Sequence, residues 1–416
     1  MFKPAKSLFS NEVSLRLAIL VAALGYFVDV YDIVLFSVVR TESLKALGLS
    51  GEALISQGVF LLNLQMIGML IGGLIWGIVG DKIGRVQVLF GSILLYSAAN
   101  IFNAFVGNVL EYSVCRLLAG IGLAGELGAG VTLVSELMPK EKRGLATAFI
   151  AAVGVCGAIG AALVGDLFPW RISYIVGGVM GLMLLVARVT VNESNIFEDL
   201  KNNDRRGTAR GSLKVLFFPL KRFLKYLAII IAGLPIWYVV GILVTFAPEI
   251  SVALGYKKSA QASMAVLVCY FGLMFGDLAS GVFSQILRSR KKAIVFFLLM
   301  ASFFIALFFA AGGDGSVYRF YGLLCPIGFF IGYWAVLITT AAEQFGTNIR
   351  ATVATSVPNF IRGGVVPMTI LFEYGRGYLG IVNSAIFVGV LVILSALVAI
   401  NFLKESFGID LNYVED

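Results

Sequence analysis

The sequence predicts an all-α membrane protein of twelve transmembrane helices, arranged as two pseudo-symmetric halves of six helices each. The chain of 416 residues is 59% apolar and only 13% charged, whereas soluble domains carry about 25% charged residues. Many of its apolar runs reach the roughly 20 residues that are needed to cross a bilayer. Related segments also recur about half a chain apart, which is typical of transporters built from duplicated units.

One long polar stretch interrupts an otherwise close succession of apolar runs. It covers residues 191–224, so we expect a first six-helix bundle over 1–190, a central loop over 191–224 and a second bundle over 225–416. The twelve spans are predicted at 15–39, 55–79, 87–107, 109–137, 144–166, 171–190, 225–248, 260–286, 292–311, 318–342, 350–375 and 379–403.

The distribution of Lys and Arg predicts the orientation of the chain. The face that carries both termini and the central loop has 23 of these cations, the opposite face has 7, and Arg116 and Arg362 fall inside spans. Because cytoplasmic loops are enriched in Lys and Arg, both termini and the central loop are expected on the cytoplasmic face of a bacterial inner membrane. The net charge of +8 therefore reports topology, and no nucleic-acid partner is expected.

Two pairs of segments support the duplication. The segment from Gly77 to Arg85 follows span two, and a related one ending at Arg290 follows span eight, about 204 residues later. Glu136 and Arg143 end span four, and Glu343 and Arg350 end span ten, 207 residues later, and in each case the Glu stands seven positions before the Arg.

The pattern Gly77-x-x-x-Asp81-Lys82-x-Gly84-Arg85 resembles the loop motif of the major facilitator superfamily, and the resemblance covers the whole chain. It implies a charged latch that closes the cytoplasmic side, although a tight turn of solvated charges is the alternative. In the second copy Gln285 replaces the expected Asp, which implies a weaker latch with Glu343, Arg288 and Arg290. The cytoplasmic gate is then predicted to comprise Gly77, Asp81, Gly84, Arg85, Glu136, Arg143, Glu343 and Arg350.

Several ionisable residues fall inside the spans, where each costs several kcal/mol and is a functional hypothesis by default. Asp32 and Arg116 lie at similar depth towards the outer side and could meet there. Asp29, Glu126 and Arg362 lie near the midplane. Carboxyl groups in such surroundings can bind and release protons, but a network of ion pairs that only fixes helix register would use the same residues.

The patterns Asp29-x-x-Asp32 in span one and Arg116-x-x-x-Gly-x-Gly-x-x-Gly-Glu126-x-Gly in span four resemble the metabolite–proton symporter branch, which includes sialic-acid transporters. The resemblance implies proton-driven uptake, with Asp29, Asp32, Glu126 and Arg116 in proton coupling. The driving ion would be H⁺, and no cofactor or metal is expected. Span five lacks the Gly-Pro step that is typical of drug–proton antiporters, although an exporter or antiporter on the same fold remains the alternative.

Arg362 points to the solute. It lies between Pro358 and the pair Gly363-Gly364, which predicts a broken helix beside a cavity. Because Arg binds carboxylates and phosphates through a bidentate fork, we expect an anionic or zwitterionic organic solute, unless Arg362 pairs permanently with Asp277. The candidate binding residues are Arg362, Asn359, Trp237, Tyr238, Tyr333, Trp334, Gln65 and Asp277, with Asn63 and Tyr270 nearby.

Other functional classes lack their signatures. The chain has no His, no phosphate-binding loop and no cluster of Cys, so an enzyme is not expected, and a sensor would carry a larger soluble domain. The expected partners are a small-molecule solute, protons and the lipid bilayer, and the protein is expected to be monomeric.

Overall fold

The computed structural model describes residues 11–83, 85–137, 143–188, 218–312, 316–345 and 347–408. These ranges contain helices and no strands. The α-helices, in chain order, are α1 (Asn11–Ala46), α2 (Gly51–Ile83), α3 (Arg85–Asn103), α4 (Val109–Leu137), α5 (Arg143–Leu167), α6 (Trp170–Arg188), α7 (Leu220–Tyr238), α8 (Ala247–Ala253), α9 (Ala262–Ile286), α10 (Arg290–Ala310), α11 (Val317–Ile331), α12 (Trp334–Glu343), α13 (Thr347–Gly363) and α14 (Val365–Phe402).

The predicted all-helical fold of twelve spans is confirmed. Within the described ranges, nine helical segments are long and apolar enough to cross a membrane, and the segment Ser356–Phe402 makes two crossings because Gly380 (φ 76°) interrupts it. The helices α3 and α4 occupy the predicted spans three and four. Helix α1 runs to Ala46, beyond the predicted end at 39, and α7 begins at Leu220, inside the predicted central loop. Most of that loop, residues 191–217, lies outside the described residues.

The helices pack in two groups that meet along a central seam. In the first group α1 packs on α4, α5 and α6, while α3 packs on α4 and α6. In the second group α9 packs on α11, and α7 packs on α13 and α14. Contacts of α2 with α13 and of α5 with α9 join the groups, so the residues that face this seam are the ones a solute could meet.

Two interruptions occur in the second group. The first is a break that divides span ten into α11 and α12 at Gly332 and Tyr333. The second, in span eleven where the sequence predicted a broken helix, is slight: Gly364 separates α13 from α14 but keeps helical dihedral angles (φ −60°, ψ −16°) and donates to Phe360 O at 3.0 Å. Broken helices are tolerated at membrane depth only where protein or a cavity satisfies the freed backbone. At the first break, which the sequence did not predict, Asp277 Oδ1 accepts a hydrogen bond from the Ala335 N–H at 3.1 Å.

Close packing against α9 also fixes this first break. A Cβ atom added to Gly332 would lie only 2.6 Å from the backbone nitrogen of Asp277 and the carbonyl carbon of Gly276. The two backbones can therefore meet only because glycine stands on both sides.

Candidate transport site

A buried ion pair joins the two groups of helices. Arg362 Nη2, in the last turn of α13, lies 3.3 Å from Asp29 Oδ2 in α1, and the side chains are only 2% and 0% exposed. Arg362 Nε and Nη1 and Asp29 Oδ1 have no hydrogen-bond partner in the described part of the chain. The guanidinium thus keeps donors for a further anion. It pairs with Asp29 and not with Asp277, so the condition that would have removed the anion prediction is not met.

A cavity of about 50 Å³ lies beside this pair, which is room for a few water molecules. The Arg362 guanidinium carbon lies 5.8 Å from the centre of the Trp237 ring. The cavity combines one cation, one carboxylate and several aromatic rings. Its lining comprises Tyr26, Val30, Ile33, Val155, Ile236, Trp237, Val240, Tyr270, Leu273, Asp277, Trp334 and Arg362.

Four of the predicted binding residues are not in this lining. The Tyr238 hydroxyl donates to Ala385 O at 2.7 Å, and the Tyr333 hydroxyl donates to Ala232 O at 3.0 Å. Asn359 Nδ2 donates to Ala124 O at 3.2 Å, which makes it a contact between the two groups of helices. Gln65 is fully buried in α2. Tyr26 was missed by the sequence reasoning, although it lies one turn before Asp29 on α1.

Glu126 forms an ion pair with a residue that was not among its predicted partners. Arg188, at the end of predicted span six, is one of the 23 cations assigned to the face of the central loop, but it lies buried in the last turn of α6 and forms an ion pair with Glu126. Gly25 of α1 leaves the space for this pair, because a Cβ atom there would overlap both side chains. The sequence could have indicated this pair, because Arg188 falls inside the predicted sixth span at 171–190. A cation in a span needs a buried group of opposite charge.

The predicted pair between Asp32 and Arg116 does not form as a salt bridge. Both side chains are buried, and the charge of Arg116 acts on Asp32, but neither carboxylate oxygen has a hydrogen-bond partner in the described residues. The Arg116 guanidinium instead faces aromatic rings, at 5.0 Å from Phe36 and 5.7 Å from Tyr174. The charge of Arg116 therefore reaches Asp32 without a direct salt bridge.

Two polar bridges close the seam at the predicted outer face. In the first, Arg40 of α1, which is fully buried, lies 2.6 Å from Glu249 of α8 and donates to Thr245 O at 3.1 Å. The hydroxyls of Ser37 and Thr245 are also hydrogen-bonded at 2.8 Å. Arg40 follows the predicted end of span one at residue 39 and was therefore expected in a loop. Its ion pair with Glu249 shows that it joins the two groups of helices.

The second bridge is built around Arg376. It forms an ion pair with Glu52 of α2, contacts Glu373 at 2.7 Å and donates to Ser56 at 3.0 Å. Ser56 also donates to Glu373. Together with the Arg40 bridge, these contacts hold the first and second groups of helices together at that face.

Two residues of the predicted second latch, Arg290 and Glu343, form an ion pair at the predicted cytoplasmic end of the second group. Arg290 lies 3.3 Å from Glu343, which also accepts a hydrogen bond from Ser406 Oγ at 2.7 Å. Burial raises the pKa of nearby Glu405, but hydrogen bonds from the Ser289 hydroxyl and three backbone N–H groups outweigh it and lower this pKa below its usual value. Of the other predicted gate residues, Gly77 lies in α2, whereas Gly84 and the side chains of Asp81, Arg85, Glu136, Arg143 and Arg350 lie outside those described.

Comparison with known proteins decides the family. A family model described as the Major Facilitator Superfamily matches residues 22–366. The chain belongs to this superfamily. It is therefore a membrane transporter and not an enzyme, as the sequence predicted.

Three similar proteins illustrate this membership. The putative niacin/nicotinamide transporter NiaP of Bacillus subtilis is 26% identical over 367 residues, which cover 85% of this chain and 87% of the relative. The sialic acid transporter NanX of Escherichia coli is 23% identical over 373 residues, covering 88% of each chain. The crystal structure of a D-xylose-proton symporter superposes with a TM-score of 0.74 at 20% identity, covering 97% of this chain and all of the other.

The two polar bridges at the predicted outer face give a first testable prediction. An Arg376→Gln variant should favour states open at the predicted outer face, because it loses contacts with both Glu52 and Glu373. The measurement is the labelling rate of a single cysteine introduced at Val30, which lines the cavity, by a membrane-impermeant reagent added outside. We expect labelling to rise about tenfold, the effect of roughly 1.4 kcal/mol on a two-state equilibrium.

Arg319→Gln is the matched control, because Arg319 is an exposed arginine at the same predicted face outside either bridge. Equal labelling in both variants would show that the bridge does not hold the outer face closed.

Proposed function

We propose that this protein is a proton-coupled symporter that takes up a small organic carboxylate by alternating access. It would work in a bacterial inner membrane with both termini in the cytoplasm. The observation that carries the proposal is the buried pair of Asp29 and Arg362, which lies where the two groups of helices meet beside the central cavity.

This pair can link the proton to the solute. A carboxylate that approached Arg362 while Asp29 was ionised would place two negative charges on one guanidinium in a low-dielectric site, which is costly. A proton on Asp29 removes one of those charges and releases the guanidinium. The solute carboxylate then takes the position of Asp29 as the counter-ion, and the net charge of the site stays the same.

The cavity walls indicate the rest of the solute. Trp237, Trp334, Tyr26 and Tyr270 offer ring faces and few further charges, which suits a compact, ring-containing molecule. Niacin and sialic acid, two of the three solutes in the names of these relatives, are carboxylic acids with a ring. A ring-containing monocarboxylate is therefore the first candidate for the solute.

Glu126 and Arg188 form a second exchangeable pair close to the first. Gly25, against which this pair packs, precedes Asp29 by one helical turn, and the charge of Asp29 acts on Glu126. A proton that reaches Glu126 would free Arg188 in the same way. We assign Asp29 to the exchange with solute and Glu126, with Asp32 and Arg116, to the passage of the proton.

The test uses proteoliposomes loaded with a pH-sensitive dye, with nicotinate or N-acetylneuraminate added outside. Acidification of the lumen that depends on the added carboxylate is the expected result. Alkalinisation would replace the proposal with the antiporter alternative. Carboxylate entry without any proton movement would leave a facilitated carrier.

An Asp29→Asn variant should separate exchange from accumulation. Because Asn resembles the protonated carboxyl, it leaves Arg362 free to bind solute but cannot carry a proton. We expect counterflow of labelled solute at near wild-type rates and accumulation driven by a pH gradient at most about a tenth of wild type.

Asp166 is an exposed carboxylate of α5 that accepts a hydrogen bond from Ser263. Asp166→Asn is the control and should retain both activities. Full accumulation by Asp29→Asn would remove Asp29 from the coupling role.

A further inference from the structure

A stripe of buried polar side chains follows one face of α3, inside the first group of helices. Tyr96, Asn100 and Asn103 recur at helical spacing, with Ser97 beside them, and all four are fully buried. The Tyr96 and Ser97 hydroxyls and both amide atoms of Asn100 and Asn103 have no hydrogen-bond partner in the described part of the chain. Neither the cavity nor the ion pairs described above use this stripe.

The stripe lies between two buried carboxyl groups. At one end Asn100 adjoins Asp32. At the other end, Tyr96 packs on Gly122, which is one turn from Glu126: a Cβ atom on Gly122 would lie 2.6 Å from the Tyr96 nitrogen. The charges of both Asp32 and Glu126 act on the Tyr96 hydroxyl.

Helix α6 packs its backbone directly against the same line of side chains. A Cβ atom on Gly177 would lie 2.6 Å from Asp32 Oδ1, and one on Gly181 would lie 3.2 Å from the Tyr96 hydroxyl. The backbone of α6 therefore contacts Asp32 at Gly177 and Tyr96 one turn later at Gly181. Arg188, which pairs with Glu126, follows two turns further along the same helix.

So many unpaired polar groups in a membrane interior need an explanation. Each buried donor or acceptor without a partner costs about 1–3 kcal/mol, and proteins normally satisfy such groups with internal water that makes two to four hydrogen bonds.

We propose that this stripe is a hydrated proton path through the first six helices, from Asp32 past Asn100 and Tyr96 to Glu126, separate from the solute cavity. None of these four residues lines the cavity. Whether the stripe is hydrated does not depend on the proposed symport. The role of the stripe in proton coupling does rest on the proposed symport.

The transfer balances at every step. A proton leaves the Asp32 carboxyl for a water molecule, and the Tyr96 hydroxyl accepts a proton on its oxygen as it donates its own to the next water. The Glu126 carboxylate accepts one proton and releases Arg188. Rotation of the O–H bond then restores Tyr96. The other charged or titratable groups that face the path are Arg116 of α4 and Tyr174 of α6 beside Asp32, and Asp29 of α1 beside both ends.

Hydration is tested on the unmodified protein by X-ray radiolytic footprinting, in which hydroxyl radicals from bound water oxidise adjacent side chains. Tyr238 is the matched control, because it is equally buried and its hydroxyl is hydrogen-bonded to the backbone. We expect Tyr96 to be oxidised at least about tenfold faster than Tyr238, as for tyrosines that contact water. Equal, slow oxidation of Tyr96 and Tyr238 would overturn the path.

Coupling is tested with Tyr96→Phe, which removes only the hydroxyl. We expect accumulation driven by a pH gradient to fall about tenfold while solute counterflow is unchanged. Tyr321→Phe, which loses a buried hydroxyl at the outer end of α11, should change neither. If Tyr96→Phe leaves accumulation intact, the stripe does not carry the proton. If instead wild type itself moves no protons with solute, the proposed symport fails, and the footprint of Tyr96 still decides whether the hydrated path exists.

Discussion

An Arg362→Lys variant is expected to lose almost all carboxylate uptake, with a fall in kcat/KM of at least about 100-fold. Lysine keeps the positive charge but has no planar fork. Arg362 uses Nη2 for Asp29, while its Nε and Nη1 have no hydrogen-bond partner among the described residues. A single ammonium group cannot hold Asp29 and present two parallel donors to a carboxylate, so the loss falls on binding of the solute and not on the net charge of the site.

The measurement is initial uptake of labelled nicotinate or N-acetylneuraminate into proteoliposomes, compared with Arg319→Lys at an exposed position. Thermal unfolding in detergent shows whether the variant is folded. A folded Arg362→Lys protein with wild-type uptake would mean that the carboxylate binds elsewhere. Equal loss for a neutral solute would mean that Arg362 serves only to close the seam.

The approximate depth of a residue along its helix could be predicted from the sequence. Asp29, Glu126 and Arg362 were placed near one level, and Asp29 and Arg362 do meet. The hydrocarbon thickness fixes where each span begins and ends to within a turn, and a charged residue inside a span is conspicuous for its cost.

The choice of partners could not be predicted, because it depends on the rotation of each helix and on its neighbours. Trp237 and Tyr238 are adjacent on α7, yet one lines the cavity and the other bonds to Ala385 on the opposite side. Glu126 pairs with Arg188 because α4 and α6 enclose the same face of α1 at Gly25. A single sequence therefore predicts the depth of each residue in the membrane, but it does not predict the direction in which the residue points around the helix axis.

The break in span ten shows a second limit. Its cause is distributed over two helices, since Gly332 must meet Gly276 and Asp277 must bond to the new helix start at Ala335. In span eleven a local signal, Pro358 and two glycines beside Arg362, predicted a break, but Gly364 keeps helical dihedral angles and the helix is hardly interrupted. Breaks that depend on long-range contacts are invisible to a local pattern even when they shape the same cavity.

The second large effect is expected from Glu126 and Arg188, where stability and coupling can be separated. Glu126→Gln leaves the Arg188 charge buried without its counter-ion, which costs about 3–5 kcal/mol. Both its thermal stability and its pH-driven accumulation should therefore fall steeply. A Glu126→Gln/Arg188→Met double variant removes both charges and should recover most of the stability, since replacing a whole buried pair by neutral groups of similar size is often nearly neutral.

The double variant should nevertheless fail to accumulate solute, because no carboxyl group remains at the end of the polar stripe to take up the proton. Its counterflow, which needs no net proton movement, should stay close to wild type. Thermal unfolding, counterflow and accumulation measured side by side on wild type, both single variants and the double variant form a complete cycle. Should the double variant regain accumulation together with stability, the pair fixes helix register only, and Asp29 alone must carry the coupling.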